Sequence, residues 1–289
     1  MLWPWVLRYR AARIAARLER QRAFRPGEPH GLNVELIVSL TSYPKRFPTL
    51  HLTIKSLLNQ SLAADRTILW LSPGENRLLP PAVRDLQSDR FEIRVYPLDL
   101  RSYAKIIPVL EQHPDATVVT ADDDLYYPVD WLKDLVEIAR RDPKVIVCHR
   151  AHKPAYDLDG RLKPYRQWSW NVPHARHEPC LFPTGVGGVL YPPGILHPDA
   201  VDRAAFTALA PHADDAWLFF MGRLAGARYT KTPHDFHLVT WLGSQTTSLM
   251  QHNVDGDGND LQLQALEDRY GLLGAPRADR KTLLSPSGG

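Results

Sequence analysis

From residue 33 to residue 150 short apolar runs alternate with segments of helical period, and this alternation narrows the fold more than any other feature of the chain. The runs "VELIVSL" (34–40), "RTILWLS" (66–72), "FEIRVYPL" (91–98), "ATVVTADDD" (116–124) and "KVIVCHR" (144–150) read as strands. Between them "PTLHLTIKSLLNQS" (48–61), "SYAKIIPVLEQHP" (102–114) and "DWLKDLVEIARRDP" (130–143) read as helices. Leu50, Ile54, Leu57 and Leu58 share one face of the first of these. Strands that alternate with helices predict a mostly parallel sheet covered on both faces, hence an α/β fold. In such sheets ligands bind at the carboxyl ends of the strands. "TSYPKR" (41–46) and "ADDD" (121–124) both fall on that edge.

The regularity fades after residue 150. Residues 151–184 are rich in Trp, His, Pro and Arg, and "FPTGVGGVLYPPGIL" (182–196) is glycine-rich and ends in a strand-like stretch. "PHADDAWLFFMGRLAG" (211–226) is a strong helix pattern opened by two acids, and "NDLQLQALEDRYGLL" (259–273) is another helix. No internal repeat is evident, and "SPSGG" reads as a loose tail.

Ahead of the alternating part, residues 2–24 read as a helix with Leu7, Ala11, Ile14, Ala15 and Leu18 on one side and Arg10, Arg13, Arg17 and Arg20 on another. "RPGEPHG" (25–31) then reads as a breaker and linker. Residues 1–26 hold seven arginines against one glutamate, a net +6, so the rest of the chain carries −3 of the overall +3. The main body is therefore no nucleic-acid binder by charge. A basic amphipathic helix led by Trp3 and Trp5 suits an anionic membrane surface, and this reading is set slightly ahead of a helix docked on its own domain with a solvated arginine face. Arginines interrupt the segment too often for a secretory signal, and no apolar run reaches the ~18–20 residues that span a bilayer. The two cysteines, Cys148 and Cys180, fit a reducing compartment better than a disulfide scaffold.

Asp122, Asp123 and Asp124 are adjacent like charges at the end of a core strand. A D-x-D in extended chain puts two carboxylates on one side of the backbone, and Mg²⁺ and Mn²⁺ are held by one or two carboxylates plus substrate phosphates. Asp122 and Asp124 are thus apt for a metal–diphosphate bridge, against the plainer reading of a polar turn. An aspartyl-phosphate enzyme wants Thr or Val after D-x-D, where Leu125 and Tyr126 stand; a nucleotidyltransferase wants a glycine-rich loop after the first strand, where "TSYPKR" has none. Asp214 and Asp215 open a helix, which suits capping and the helix dipole and equally suits a general base for an acceptor hydroxyl. Gly185, Gly187 and Gly188 let backbone approach a sugar closely, or simply turn before a strand. "DGDGND" (255–260) begins like a calcium loop, but Asp260 stands where glycine belongs and Leu266 where glutamate belongs, so an EF-hand is rejected. Cys148, His149, His152, His174, His177 and Cys180 lack the spacing of a zinc finger.

Taken in order and spacing, "VSLTSYPKRF…TIKSLLNQS", "SYAKIIPVL", "VVTADDDLYYP", "GVGGVLYPP", "ADDAWL" and "ND.Q" resemble the GT-A fold glycosyltransferases, family-2-like, of the bacterial surface-polysaccharide type. The resemblance runs from about residue 34 to 262. It implies a Rossmann-like nucleotide-sugar-binding part (31–150) fused to an acceptor-binding part (151–275) in one compact domain, preceded by the basic helix and linker (1–30) and followed by a tail (276–289). It implies that Thr41, Ser42, Tyr43 and Arg46 face the base and ribose of a nucleotide-sugar donor, UDP by family habit, and that Lys105 lies near the nucleotide or diphosphate. Asp122 and Asp123 face the ribose side, Asp124 is the direct ligand of Mn²⁺ or Mg²⁺, Asp122 a further one, and Asp123 is the acid most turned away from the metal. Asp215 is the catalytic base, beside Asp214 where the family has Glu. The family's metal-binding His has its nearest counterpart in His252, with His234 and His237 behind it. The implied reaction is metal-dependent, inverting transfer to a glycan or lipid-linked glycan acceptor, in the cytoplasm or on the inner face of the plasma membrane. Two other readings stay open: sugar-nucleotidyl or phosphoryl transfer on a similar sheet, and an inactive sugar-binding protein on the same fold.

Overall fold

The computed structural model describes residues 4–21, 24–25, 27–173, 180–234, 238–243 and 258–271. The expected alternation forms: β1 (Leu36–Thr41), β2 (Arg66–Leu71), β3 (Phe91–Val95), β4 (Thr117–Ala121) and β5 (Val145–Cys148) are strands. β6 (Val189–Tyr191) and β7 (Arg228–Lys231) join them in one seven-stranded sheet, ordered β7-β5-β6-β4-β1-β2-β3. β1 pairs parallel with β2 and β4, β2 with β3, and β5 with β7. β6 alone runs against its neighbours β4 and β5. That reversal matters for function, because the start of an antiparallel strand lies at the same edge as the ends of the parallel ones. The glycine run before β6 is thereby placed beside the acids after β4, with Val189 opposite both Thr120 and Cys148.

Successive strand residues serve opposite faces, as the pleat requires. Ile37, Ile68, Val118 and Ile146 enter one core with Ile107, Val109, Trp217, Phe219 and Phe220. Leu36, Val38, Leu69, Val119 and Val147 enter the other, with Leu50, Ile54 and Leu57 of helix α2 (Phe47–Leu58) and Trp131, Leu132 and Leu135 of α4 (Trp131–Arg141). The predicted helix 102–114 is instead a 3₁₀ turn (Arg101–Lys105) followed by α3 (Ile107–Gln112). Pro108 sits in the first turn of α3, where its missing N–H costs nothing. α5 (Asp214–Leu224) and α6 (Gly258–Tyr270) match the two helices expected in the second half. β7 was not legible: "RYTK" is short and has cations at both ends.

Helix α1 (Pro4–Arg20) forms as expected, but it is docked. Leu18 packs with Leu52 and Trp241, with Ile14 and Ala15 alongside, and Ala11 is buried too. Glu19 bonds His51 at 2.7 Å and pairs with Lys55 at 3.7 Å. Here the plainer of the two readings describes the apolar side from Ala11 to Leu18, which the domain covers, while Trp5, Leu7 and Tyr9 face out with the arginines. The expected linker is likewise stitched down, with Glu28 and Pro29 pairing parallel with Leu62 and Ala63. Among the described residues no helix is long and apolar enough to cross a membrane. Both cysteines are buried and unbridged.

Candidate active site

The acid turn after β4 is held from several sides. Tyr127 Oη accepts from the Asp122 N–H at 2.7 Å and donates to the Asp122 carbonyl at 3.3 Å. Thr53 Oγ1 donates to the Asp123 carbonyl at 2.9 Å, and the Trp241 N–H donates to the Asp124 carbonyl at 3.2 Å. With the backbone fixed, the three carboxylates diverge. Asp124 is buried and ion-paired with Arg46, which comes from the loop after β1. Asp123 accepts from Ser42 Oγ at 2.5 Å. Asp122 lies 3.5 Å from Lys105 Nζ. Neighbouring β1 and β4 in parallel register bring the loop 41–46 over the acids, so Ser42 and Arg46 meet carboxylates directly. Thr41 Oγ1 donates to the Trp70 carbonyl at 3.0 Å, and Tyr43 is partly exposed at the same edge.

The second acid pair arrives from the other half of the chain. Lys105 is buried, and its Nζ is 3.0 Å from Asp214 Oδ2. The contact is an ion pair without a well-aligned hydrogen bond. Lys105 therefore ties Asp122 to Asp214. Asp215 Oδ2 accepts from the Gly185 N–H at 2.9 Å. Neither acid caps its helix: the N-cap of α5 is Ala213, with no side-chain cap bond. Both side chains turn to the site instead, so the capping reading of this pair does not describe what they touch. Gly185 is a glycine for a local reason: a Cβ there would lie 2.8 Å from Asp215 Oδ1 and 2.9 Å from Lys105 Nζ. Gly188, at φ +98°, has the Trp131 ring where its side chain would be.

Protonation follows from this crowding. Burial, then the neighbouring Asp214 charge, raises the Asp215 carboxyl to about 7, against the pull of Lys105 and the Gly185 N–H. Burial raises Asp123 to about 7 as well, with Asp124 adding to it and Ser42 and Arg46 opposing. Asp122 is raised in the same way, chiefly by burial. Burial works against the Lys105 charge, but Asp214, Asp122 and Asp215 together outweigh it and hold the ammonium charged. The cluster thus carries two carboxyls able to exchange protons near neutrality.

Of the histidines, His252 and His237 lie outside the described residues, as do His174 and His177. His234 is paired with Asp134 at 3.1 Å. His149 sits between the Trp131 carbonyl at 2.9 Å and Thr232 Oγ1 at 3.0 Å, and burial pushes its pKa down to about 4. His152 accepts from the Asn171 N–H at 2.9 Å, with burial again lowering it to about 4. They serve as neutral core residues. No group of three or more His, Cys, Asp or Glu side chains among the described residues is set to hold a metal by itself. Two contributors escaped sequence reasoning. The Gly185 N–H was invisible because any residue has one, and no local pattern marks the Tyr127 hydroxyl as a partner of the Asp122 backbone.

A parallel sheet with one reversed strand next to the acid-bearing one, and both acid motifs at its carboxyl edge, is the layout of the GT-A fold. The family model described as Glycosyl transferase family 2 matches residues 40–189. That span is more than half of the chain and runs from the end of β1 through the triple aspartate to the glycine run, and the chain belongs to this family. It is a glycosyltransferase by fold and family. No curated protein matches it. Among solved structures it is similar to HddC from Yersinia pseudotuberculosis, at 13% identity and a TM-score of 0.36, over 56% of this chain and 78% of that one. It is also similar to GalNAc-T7 crystallised with UDP, GalNAc and Mn²⁺, at 11% identity and a TM-score of 0.45, over 73% of this chain and 44% of that one.

Proposed function

We propose that the chain transfers a sugar from a nucleotide-sugar donor, UDP-linked in the first instance, to a hydroxyl of a glycan or lipid-linked glycan, with inversion, and that Asp215 is the base. The observation that carries this reading is the bridge made by Lys105: it joins Asp122 of the triple aspartate to Asp214, whose neighbour Asp215 is oriented by the Gly185 N–H. The base and the diphosphate-binding acids are thereby side by side, as a single displacement requires.

Asp215, poised at about 7, takes the proton of the acceptor hydroxyl. The freed oxygen attacks the anomeric carbon on the face opposite the nucleoside diphosphate, and the bond from that carbon to the leaving phosphate oxygen breaks. A pocket of about 70 Å³ opens on Asp214 and Asp215 and is lined also by Tyr165, Phe182, His212 and Asn259, which suits the acceptor hydroxyl's approach. Lys105 holds positive charge beside the diphosphate side of the site. Thr41, Ser42, Tyr43 and Arg46 form the donor's base and ribose wall.

Asp122 and Asp124 are hard oxygen donors at the right edge for Mn²⁺ or Mg²⁺ completed by donor phosphates. Such a cation, when bound, neutralises the departing diphosphate. Arg46 is ion-paired with the Asp124 carboxylate. We place the enzyme in the cytoplasm at the inner face of the membrane, with residues 1–26 toward the lipid. The reading is tested by nucleotide release from UDP-, GDP-, CMP- and dTDP-sugars with Mn²⁺, comparing the wild type with Asp124→Ala and Asp215→Asn. No release from any donor by the wild type would refute it.

A further inference from the structure

With Ala11 and Leu18 docked, α1 still presents a groove of about 590 Å³ walled by Arg10, Arg13, Arg17, Arg20 and Tyr126. Val6, Tyr9 and Ile14 give the same groove apolar surface. The helix's acid, Glu19, is turned to His51 and Lys55, so it does not offset the arginines. Arg17 Nη2 donates to Tyr126 Oη at 2.8 Å and its guanidinium lies 5.8 Å from the centre of the Tyr126 ring. Tyr126 stands two residues beyond Asp124. It meets Trp241 edge-on, and the Trp241 N–H holds the Asp124 carbonyl. The inner end of the groove is therefore fixed to the turn that carries the triple aspartate.

Four arginines in a concave wall select phosphate oxygens, which guanidinium groups bind in pairs. The apolar lining selects something with a hydrocarbon portion next to that phosphate. A general membrane surface needs neither concavity nor attachment to the acid turn. We propose that this groove binds the lipid-diphosphate end of the acceptor: the diphosphate on Arg10, Arg13 and their neighbours, the first part of the chain along Val6, Tyr9 and Ile14. The proposal rests on the lipid-linked acceptor named above. It assigns to α1 the task of holding the lipid end while the sugar end reaches Asp215.

The test is co-sedimentation of the full chain with three kinds of vesicle: phosphatidylcholine alone, phosphatidylcholine doped with a polyisoprenyl diphosphate, and phosphatidylcholine brought to the same charge with phosphatidylglycerol. The wild type is expected to prefer the diphosphate vesicles at least about tenfold. Arg10→Gln with Arg13→Gln should weaken that binding about 30-fold, at about fivefold per arginine near an anionic lipid surface. Lysines at both positions should restore only part of it, because an ammonium does not bind phosphate oxygens in pairs. Both side chains are exposed, and the double variant should match the wild type in melting temperature and in donor hydrolysis in water. Equal binding to phosphatidylglycerol vesicles, or undiminished binding by the glutamine variant, overturns the proposal. Arginine-dependent binding to diphosphate vesicles by a wild type that hydrolyses no donor would instead sink the transferase reading and leave the groove standing.

Discussion

Replacing Lys105 by methionine isolates the electrostatics of the site. Its ammonium is 3.0 Å from Asp214 and 3.5 Å from Asp122, and the three side chains are 9%, 11% and 23% exposed. Methionine keeps the length and removes the charge. Removing one partner of a buried pair costs about 3–5 kcal/mol, because the other charge is left uncompensated. Asp122 retains some access to water, which favours the lower end, about 3 kcal/mol. The loss must depend on pH. Without Lys105, which pulls Asp122 and Asp215 down against burial, the folded-state pKa values of those two carboxyls rise further above their unfolded values near 4. A carboxyl with a raised folded pKa binds more protons when folded, so stability falls as pH rises from about 4 through that pKa. The variant should therefore be close to wild type at pH 5 and about 3 kcal/mol less stable at pH 8, a drop in melting temperature of roughly 6–10 °C for a chain of this size. Thermal unfolding in EDTA from pH 5 to 8 measures it. An equal loss at every pH would mean that Lys105 acts by packing, and no loss at pH 8 would mean that the cluster is not charged as described.

Other consequences follow from the same geometry. Asp215→Asn keeps an oxygen for the Gly185 N–H but cannot take a proton; transfer should fall about 10²–10⁴-fold, while donor binding, read by thermal shift, persists. In the wild type kcat/KM should rise with pH through about 7, since Asp215 acts only when ionised, and this limb should vanish in Asp215→Asn. That variant should also gain stability at pH 8, because the folded wild type must ionise a carboxyl whose pKa is raised to about 7. Gly185→Ala places a methyl within 2.9 Å of both Asp215 and Lys105 and should reduce transfer more than tenfold. Ser42→Ala removes a bond that favours ionised Asp123, so that carboxyl should rise above about 7, read by carboxyl NMR titration.

The sequence disclosed the residue types of the site well and their partners poorly. Periodicity placed β1 to β5, and a strand end is where a ligand-binding acid belongs, so Asp122–Asp124 and the loop 41–46 could be put on one edge. Which acid meets which cation is set by features with no local signature. The parallel register of β1 and β4 delivers Ser42 to Asp123 and Arg46 to Asp124. A 3₁₀ turn, hidden inside an apparent helix, aims Lys105 at both acid motifs. β6 shows a strand pattern but not its direction, and that direction brings Gly185 to Asp215. α1 misled in a different way: amphipathic periodicity reports that a helix has an apolar side, and the surface it covers, here Leu52 and Trp241, lies elsewhere in the chain.

The central claim is that Asp215 is the base of a glycosyl transfer from a nucleotide sugar bound over Asp122–Asp124. Its most direct test is nucleotide release from a panel of nucleotide sugars with Mn²⁺, run in parallel on wild type and Asp215→Asn. Release from at least one donor by the wild type, lost in the variant while the donor still raises the variant's melting temperature, is the predicted result. Equal release by both proteins would contradict it.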